Sequence, residues 1–357
     1  MRSAVSRVNS NSNAIVGLLG EQRVRERIPD KYSSRVVGGC WLVSNYLGNK
    51  TRHVLLIPQI FQAGAALPES LEKSDITEEI EKFSSIADSL GIPTFYCIPY
   101  AYSDENMPDE KATQKHLKRY AADRNLVQSG TKSELIERIA SPYSNIEYMT
   151  VDVSKPDNLV SLESCLLELG YPLKQGRSIK FAQKSEQDVS KLSEITLIEE
   201  FWKRHLWWKI KTLTSSHCAD IDALYLLKNG ISPFEIKSKS IAPGGSSSPD
   251  YFGIDVGTIA KMLKFSELGT GGGEGIYVVE EREGDEPPKA YHATTMSNLY
   301  ANMELHTGGG GASGFGGGST EVVKVPIHTF SSMDEDFFDA LDGKKKVKTN
   351  CIQRLFR

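Results

Sequence analysis

The segment ADIDALYLLKNGISPFEIKSKS (219–240) leaves little freedom in how it folds. Two apolar runs flank the turn Lys228-Asn229-Gly230, and an Asn-Gly pair between such runs signals a β-hairpin. Twelve residues separate Asp222, which opens the first strand, from Glu235 in the second, so the hairpin brings them alongside. Side chains at i and i+2 of a strand share a face. Glu235 and Lys237 therefore point one way, and Phe234 and Ile236 point the other way, toward a core. Two carboxylates and one ammonium converge at a strand pair.

Phosphodiester hydrolysis needs such a set. Carboxylates hold a hard divalent cation, Mg²⁺ or Mn²⁺, that keeps several waters. The cation acts as a Lewis acid on a phosphoryl oxygen and lowers the pKa of a bound water. A nearby lysine orients the attacking water and offsets charge in the transition state. An acid-x-Lys alone is common, because charged residues alternate along any solvent-facing strand. The combination is more specific: an acidic D-x-D strand start, an apolar strand, a hairpin turn, then hydrophobic-Glu-hydrophobic-Lys. Lys239, on the same face as Lys237, is either a phosphate contact or a solvated strand-end lysine.

A helix is predicted before this hairpin, at about 190–211. A second helix (255–268) and the strand GIYVVEE (275–281) follow it, giving the order α-β-β-α-β. Residues 190–285 resemble the PD-(D/E)xK, or restriction-endonuclease-like, nuclease superfamily. The resemblance implies a mixed-sheet α/β core and metal ligation by Asp222, Glu235 and the carbonyl of Ile236, with Lys237 near the water. The proline that often precedes the first Asp is absent. Asp220 and Ile221 stand there instead, and Asp220 is an alternative ligand. Many members carry a further Glu on the preceding helix, where Glu194, Glu199 and Glu200 are candidates. Glu199 shares a face with Ile195, Trp202 and Leu206, and a carboxylate on an apolar face needs a partner. Glu200 neighbours Lys203 and Arg204, which reads as a solvated face. Glu199 is preferred. The same helix continues as FWKRHLWWKIKT (201–212), four Lys/Arg interleaved with aromatics and no acid. Lys209 and Lys211 are candidate DNA contacts. Against this, the tryptophans can be core with snorkelling lysines around them, and at least one is expected there.

Upstream, residues 111–140 hold seven Lys/Arg against three acids, a local charge of +4 in a chain whose total is −4. Two short helices are predicted around Ser129-Gly130-Thr131-Lys132. Leu117, Tyr120 and Ala121 face one way, and Leu135, Ile136 and Ile139 form the other apolar face. Gly130 is free to take positive φ, and Thr131 with Glu134 fits a capping box. The pattern HLKRYAADRNLVQSGTKSELIERI looks like a SAP module, a helix–loop–helix that binds duplex DNA mainly through its backbone. Lys132 and Arg138 fall on motif positions, and Lys118 and Arg119 are added on charge.

The 357 residues suit two or three domains. We place an N-terminal α/β domain at 1–105, the SAP module at 111–142, a connecting region at 143–189, the nuclease domain at 190–330 with a Gly-rich loop at 306–320, and a tail at 331–357. The N-terminal segment repeats the order α-β-β-α-β, but its strand LLIPQI (55–60) lacks an acid-x-Lys. It reads either as a nuclease-like copy without chemistry or as an unrelated recognition or assembly domain. With 42 Lys+Arg and 46 Asp+Glu, a polyanion must be held by local basic patches. No apolar run approaches the roughly 20 residues needed to span a bilayer. Five scattered cysteines without a CxxC pair argue against a disulfide framework or a zinc ribbon and suit a reducing cytoplasm.

The expectation is a cytoplasmic, metal-dependent DNA endonuclease acting on double-stranded DNA, of restriction or phage-defence type. A repair or recombination nuclease and a non-catalytic DNA-binding protein are the alternatives. A single catalytic set per chain asks for two chains, as in a homodimer, or two events to cut both strands. A cognate methyltransferase would be a separate protein. GTGGGEG (269–275) lacks the lysine and hydroxyl of a phosphate loop, and GKKKVK (343–348) reads as a solvated tail.

Overall fold

Pro29 ends the first helix and begins the second, giving α1 (Ser12–Arg27) and α2 (Asp30–Ser33). The structure is a computed structural model. It describes residues 12–47, 50–61, 91–101, 108, 111–123, 130–140, 146–173, 189–227, 230–246, 248–268, 274–284, 286–306 and 322–343. The segment SDITEEIEKFSSIADSL (74–90), which reads from sequence as a helix, lies outside these residues, as do nearly all of the Gly-rich loop at 306–320 and of the basic tail.

The chain is mixed α/β. Strands β1 (Val36–Val37), β2 (Cys40–Leu47), β3 (Lys50–Pro58) and β4 (Thr94–Ala101) come first. Then follow α3 (Gln114–Asp123), α4 (Lys132–Ala140), β5 (Ile146–Asp152), β6 (Lys155–Ser161) and α5 (Leu162–Glu168). The long α6 (Glu194–Leu213) leads into β7 (His217–Ile221), β8 (Ala223–Leu227) and β9 (Gly230–Lys239). The last part holds β10 (Tyr251–Asp255), α7 (Val256–Leu268), β11 (Ile276–Glu281), β12 (Ala290–Thr295), α8 (Met296–Asn302), β13 (Glu304–His306), β14 (Val322–Pro326), β15 (Ser331–Ser332) and α9 (Glu335–Leu341). No helix among the described residues is long and apolar enough to cross a membrane.

The strands build two six-stranded sheets, β7-β2-β3-β4-β5-β6 and β1-β8-β9-β11-β12-β15, and a three-stranded sheet β10-β14-β13. Written in that order, the neighbours of both large sheets pair antiparallel, antiparallel, parallel, antiparallel, antiparallel. The two sheets are not separate along the sequence. Early β1 is the edge of the late sheet, and late β7 is the edge of the early one. The helices cross in the same way. Val24 of α1 and Ile28 just after it pack with Phe234, Ile236 and Val278 of the late sheet. Leu197, Phe201 and Trp202 of α6 pack with Trp41, Val54 and Leu56 of the early sheet. The boundary placed at residue 190 from sequence therefore does not divide the packing.

Three elements differ from the sequence expectation. The run NLVSLESCLLELG (158–170) reads from sequence as a helix stopped at Gly170, but the helix starts only at Leu162. The first part of the run is β6, because Leu159 and Val160 pair with Val151 and Thr150, and Ser161 accepts from the Ser164 amide to cap the helix. The run ATTMSNLYANMEL (293–305) reads from sequence as helical, but the helix is confined to Met296–Asn302, capped by Thr295, with β12 before it and β13 after it. The expected tail contains α9, whose Phe337 and Phe338 are buried beneath Tyr32 and Tyr225. In contrast, α3 and α4 enclose their own small core of Leu117, Tyr120, Ala121 and Leu135, with Ile136 against it.

Candidate active site

Asp222 occupies the single residue between β7 and β8, where the chain leaves one sheet for the other. The β8–β9 ladder pairs Ala223 with Phe234. One step further along that register, Asp222 faces Glu235, as the hairpin spacing predicts. Both carboxylates are buried, 3% and 1% exposed. Ala223, Phe234 and Ile236 fill the core on the opposite face.

Lys237 Nζ lies 2.6 Å from Glu235 Oε1, 3.6 Å from Asp222 Oδ2 and 3.2 Å from the Ile236 carbonyl oxygen, to which it donates. One cation thus touches all three atoms that the resemblance assigns as metal ligands. The Ile236 amide donates to Asp222 Oδ2 at 2.7 Å and fixes that carboxylate against the neighbouring strand. Lys261, from α7, pairs with the other Glu235 oxygen. The Arg25 guanidinium donates to the Asp222 carbonyl at 3.1 Å. Tyr277 pairs with Glu235 on the adjacent strand, and its buried hydroxyl has no hydrogen-bond partner among the described residues.

Burial would push the Asp222 carboxyl up, but Lys237, Lys261, Lys203 and the Ile236 amide outweigh it and bring it down to about 2. Burial and the neighbouring Asp222 charge raise Glu235, against the pull of Lys237 and Lys261. Burial disfavours the Lys237 ammonium, yet Asp222 and Glu235 hold its pKa well above the ordinary lysine value. In this arrangement Lys237 is a fixed cation, not a base.

The helix carboxylates divide differently from the sequence expectation. Glu199 is ion-paired with Arg25, and Glu200 with Arg204 at 2.6 Å, so Glu200 is buried and not on a solvated face. Glu194 is exposed at the start of α6. Asp220, the alternative ligand, is committed to Lys203 at 2.6 Å. The carboxylate that sequence reasoning missed is Glu21, on α1. Although the residue is not fully enclosed, burial raises its pKa to about 8, with Asp222, Asp220 and Glu200 adding to the rise and Lys203 opposing it. Glu21 follows Leu18 and precedes Val24 at helical spacing, so a carboxylate on the apolar stripe of α1 was the available signal. A small cleft between α1 and α6, with Gly38 and Gly39 in its wall, is lined by Glu21, Arg25, Glu199 and Lys203. Lys261 was also missed. It arrives on a helix whose register against β9 only the tertiary structure sets.

The expected DNA contacts separate into two groups. Lys209 pairs with Glu147 at 2.6 Å, Lys211 donates to the Ser216 carbonyl at 2.7 Å, and Lys239 donates to the Gly253 carbonyl at 2.6 Å. All three are engaged within the fold. Trp202 and Trp208 of the same helix are core residues, and Trp207 packs near Trp41. By contrast Lys118, Arg119 and Lys132 are exposed on the α3–α4 hairpin. Arg138 falls in α4, and its side chain is outside the described residues. The turn is built as its residues require. Gly130 has φ 123°, the Thr131 amide donates to Glu134 Oε2 at 2.7 Å, and the Glu134 amide donates to Thr131 Oγ1 at 3.3 Å.

Among the described residues no group of three or more His, Cys, Asp or Glu forms a ready metal cage. The donor set at Asp222 and Glu235 still fits a hard divalent cation. Two carboxylate oxygens and one carbonyl oxygen already surround a positive charge, and the rest of a magnesium shell is ordinarily water. No protein-family model, curated protein or solved structure matches the chain.

Proposed function

We propose that the chain is a divalent-metal-dependent DNA endonuclease with a restriction-endonuclease-like core around β8 and β9 and a SAP-like DNA-holding hairpin. The observation that carries this reading is the convergence of Asp222 Oδ2, Glu235 Oε1 and the Ile236 carbonyl on one cationic position. Two carboxylates buried side by side are costly unless cations offset them, as Lys237 and Lys261 do here and as a bound divalent cation would.

Asp222, Glu235 and the Ile236 carbonyl would hold Mg²⁺ or Mn²⁺, which when bound supplies Lewis-acid polarisation and an activated water. Asp222 is kept ionised by its cationic neighbours and the Ile236 amide, so it is ready to ligate. Lys237 stays protonated and contributes positive charge beside the scissile phosphate. Lys261 restrains the second Glu235 oxygen, and the Tyr277 hydroxyl, unpartnered among the described residues, is a donor for a phosphate oxygen or an ordered water. Glu21 lines the neighbouring cleft between α1 and α6, where burial and the Asp222 charge favour its neutral form. The exposed cations of the hairpin hold the duplex by its phosphates. A restriction or phage-defence setting suits this combination.

Cleavage of mixed phage and plasmid DNA tests the reading. Discrete fragments that require Mg²⁺ and Glu235 are expected. Metal-independent DNA binding without cleavage, unchanged by Glu235→Gln, would instead favour a DNA-binding protein.

A further inference from the structure

Resting on the nuclease reading, we propose that the chain is a two-half platform on one polypeptide with only the second half armed, and that it nicks one strand of a duplex as a monomer. The first line of support is the shared order and direction of the two six-stranded sheets. The second is the reciprocal exchange at their junction. Val36 and Val37 pair with Tyr225 and Leu224 in one sheet, and Cys40 to Ser44 pair with Ile221 to His217 in the other. Both ladders share one antiparallel register, which runs on through Gly39 opposite Asp222. Equivalent strands paired antiparallel, with each half lending a helix and an edge strand to the other, is the geometry of an isologous dimer interface. Here a single chain makes it.

The two halves differ where chemistry would occur. Gly39 directly precedes β2 as Asp222 directly precedes β8. The β2–β3 ladder pairs Trp41 with Leu56, so its register sets Pro58 opposite Gly39, where the armed half sets Glu235 opposite Asp222. Ile60 stands two residues on, in place of Lys237. No side chain fits at Gly39 without movement, since a Cβ there would meet the Ile221 carbonyl oxygen and Lys203 Nζ at 2.7 Å each. The first half therefore lacks both ligating carboxylates and the lysine. What it carries instead, between β4 and β5, is the basic α3–α4 hairpin. One half holds and the other cuts.

Supercoiled plasmid, in excess over total protein and with Mg²⁺, tests this. Open circles should accumulate to nearly all of the substrate before linear DNA appears, at a rate first order in protein. Adding an equal amount of Glu235→Gln chain, or of Lys237→Met chain if the former does not fold by circular dichroism, should leave the rate per wild-type chain unchanged. Linear DNA as the first product, a rate rising as the square of protein concentration, or a rate halved or worse by the inert chain would overturn the proposal while leaving the nuclease reading intact. No cleavage of any form would overturn the nuclease reading itself, and this proposal with it.

Discussion

Lys237 Nζ stands 2.6 Å from Glu235 Oε1 and 3.6 Å from Asp222 Oδ2, inside the position a divalent cation would take. Without metal, this ammonium and that of Lys261 are what make two buried carboxylates tolerable side by side. Lys237→Met should therefore lower the melting temperature in EDTA and increase the stabilisation gained from Mg²⁺. A ligand at one hundred times its Kd stabilises by about 2.7 kcal/mol. Melting curves of both proteins with EDTA and with Mg²⁺ measure this. No effect of Mg²⁺ on either would argue that the carboxylates form a structural ion pair only.

Glu21 gives the fold a pH signature. Burial and the charges of Asp222, Asp220 and Glu200 raise its carboxyl to about 8, against the pull of Lys203, while an unfolded glutamate titrates near 4.5. Between those values the folded chain binds more protons than the unfolded one, so this group makes stability fall as pH rises, with the loss complete above about 8. Glu21→Gln removes that contribution. Urea midpoints in EDTA at about pH 5.5 and about pH 8 should converge in the variant relative to wild type. Parallel pH dependences in the two proteins would show that Glu21 titrates normally.

Tyr277 separates stability from activity. Its hydroxyl is buried without a partner among the described residues, and an unsatisfied buried polar group costs about 1–3 kcal/mol. Tyr277→Phe should leave the melting temperature unchanged or raise it, while lowering the rate of DNA cleavage. A variant that is both fully active and equally stable would remove the hydroxyl from the site.

The α3–α4 hairpin should set affinity without sequence preference. Lys118→Ala, Arg119→Ala and Lys132→Ala should each weaken duplex binding to a similar degree on unrelated sequences and reduce the salt slope by about 1 per lost phosphate contact. Thr131→Ala, which removes the cap on α4, should cost about 1 kcal/mol of local stability and weaken binding too. Fluorescence anisotropy across a salt series reads all four. Unchanged slopes would place the DNA elsewhere.

The parts of the site that were legible in the sequence are those set by local geometry. A hairpin fixes which residues of 219–240 face each other, so Asp222, Glu235 and Lys237 could be placed together. The capping box at Thr131 and Glu134 is equally local. What the sequence did not disclose depends on the exchange between the sheets. Gly38 and Gly39 sit inside RVVGGCWLVSNYL (35–47), a stretch rich in β-formers, yet they are where the chain changes sheets. That crossing carries α1, with Glu21 and Arg25, onto the later hairpin. It also turns the cations of α6 inward, where Lys203 meets Asp220 and Lys209 meets Glu147. Periodicity shows that a helix has an apolar face but not which sheet will cover it.

The most direct test of the central claim is cleavage of duplex DNA by wild type and by Glu235→Gln, each with Mg²⁺ and with EDTA. The arrangement of Asp222, Glu235, Ile236 and Lys237 predicts cleavage by wild type with Mg²⁺ alone, and a fall of at least about a hundredfold in the variant. Cleavage that survives EDTA or the loss of Glu235, or a wild-type protein that binds DNA and never cuts it, would contradict a metal-dependent nuclease at this site.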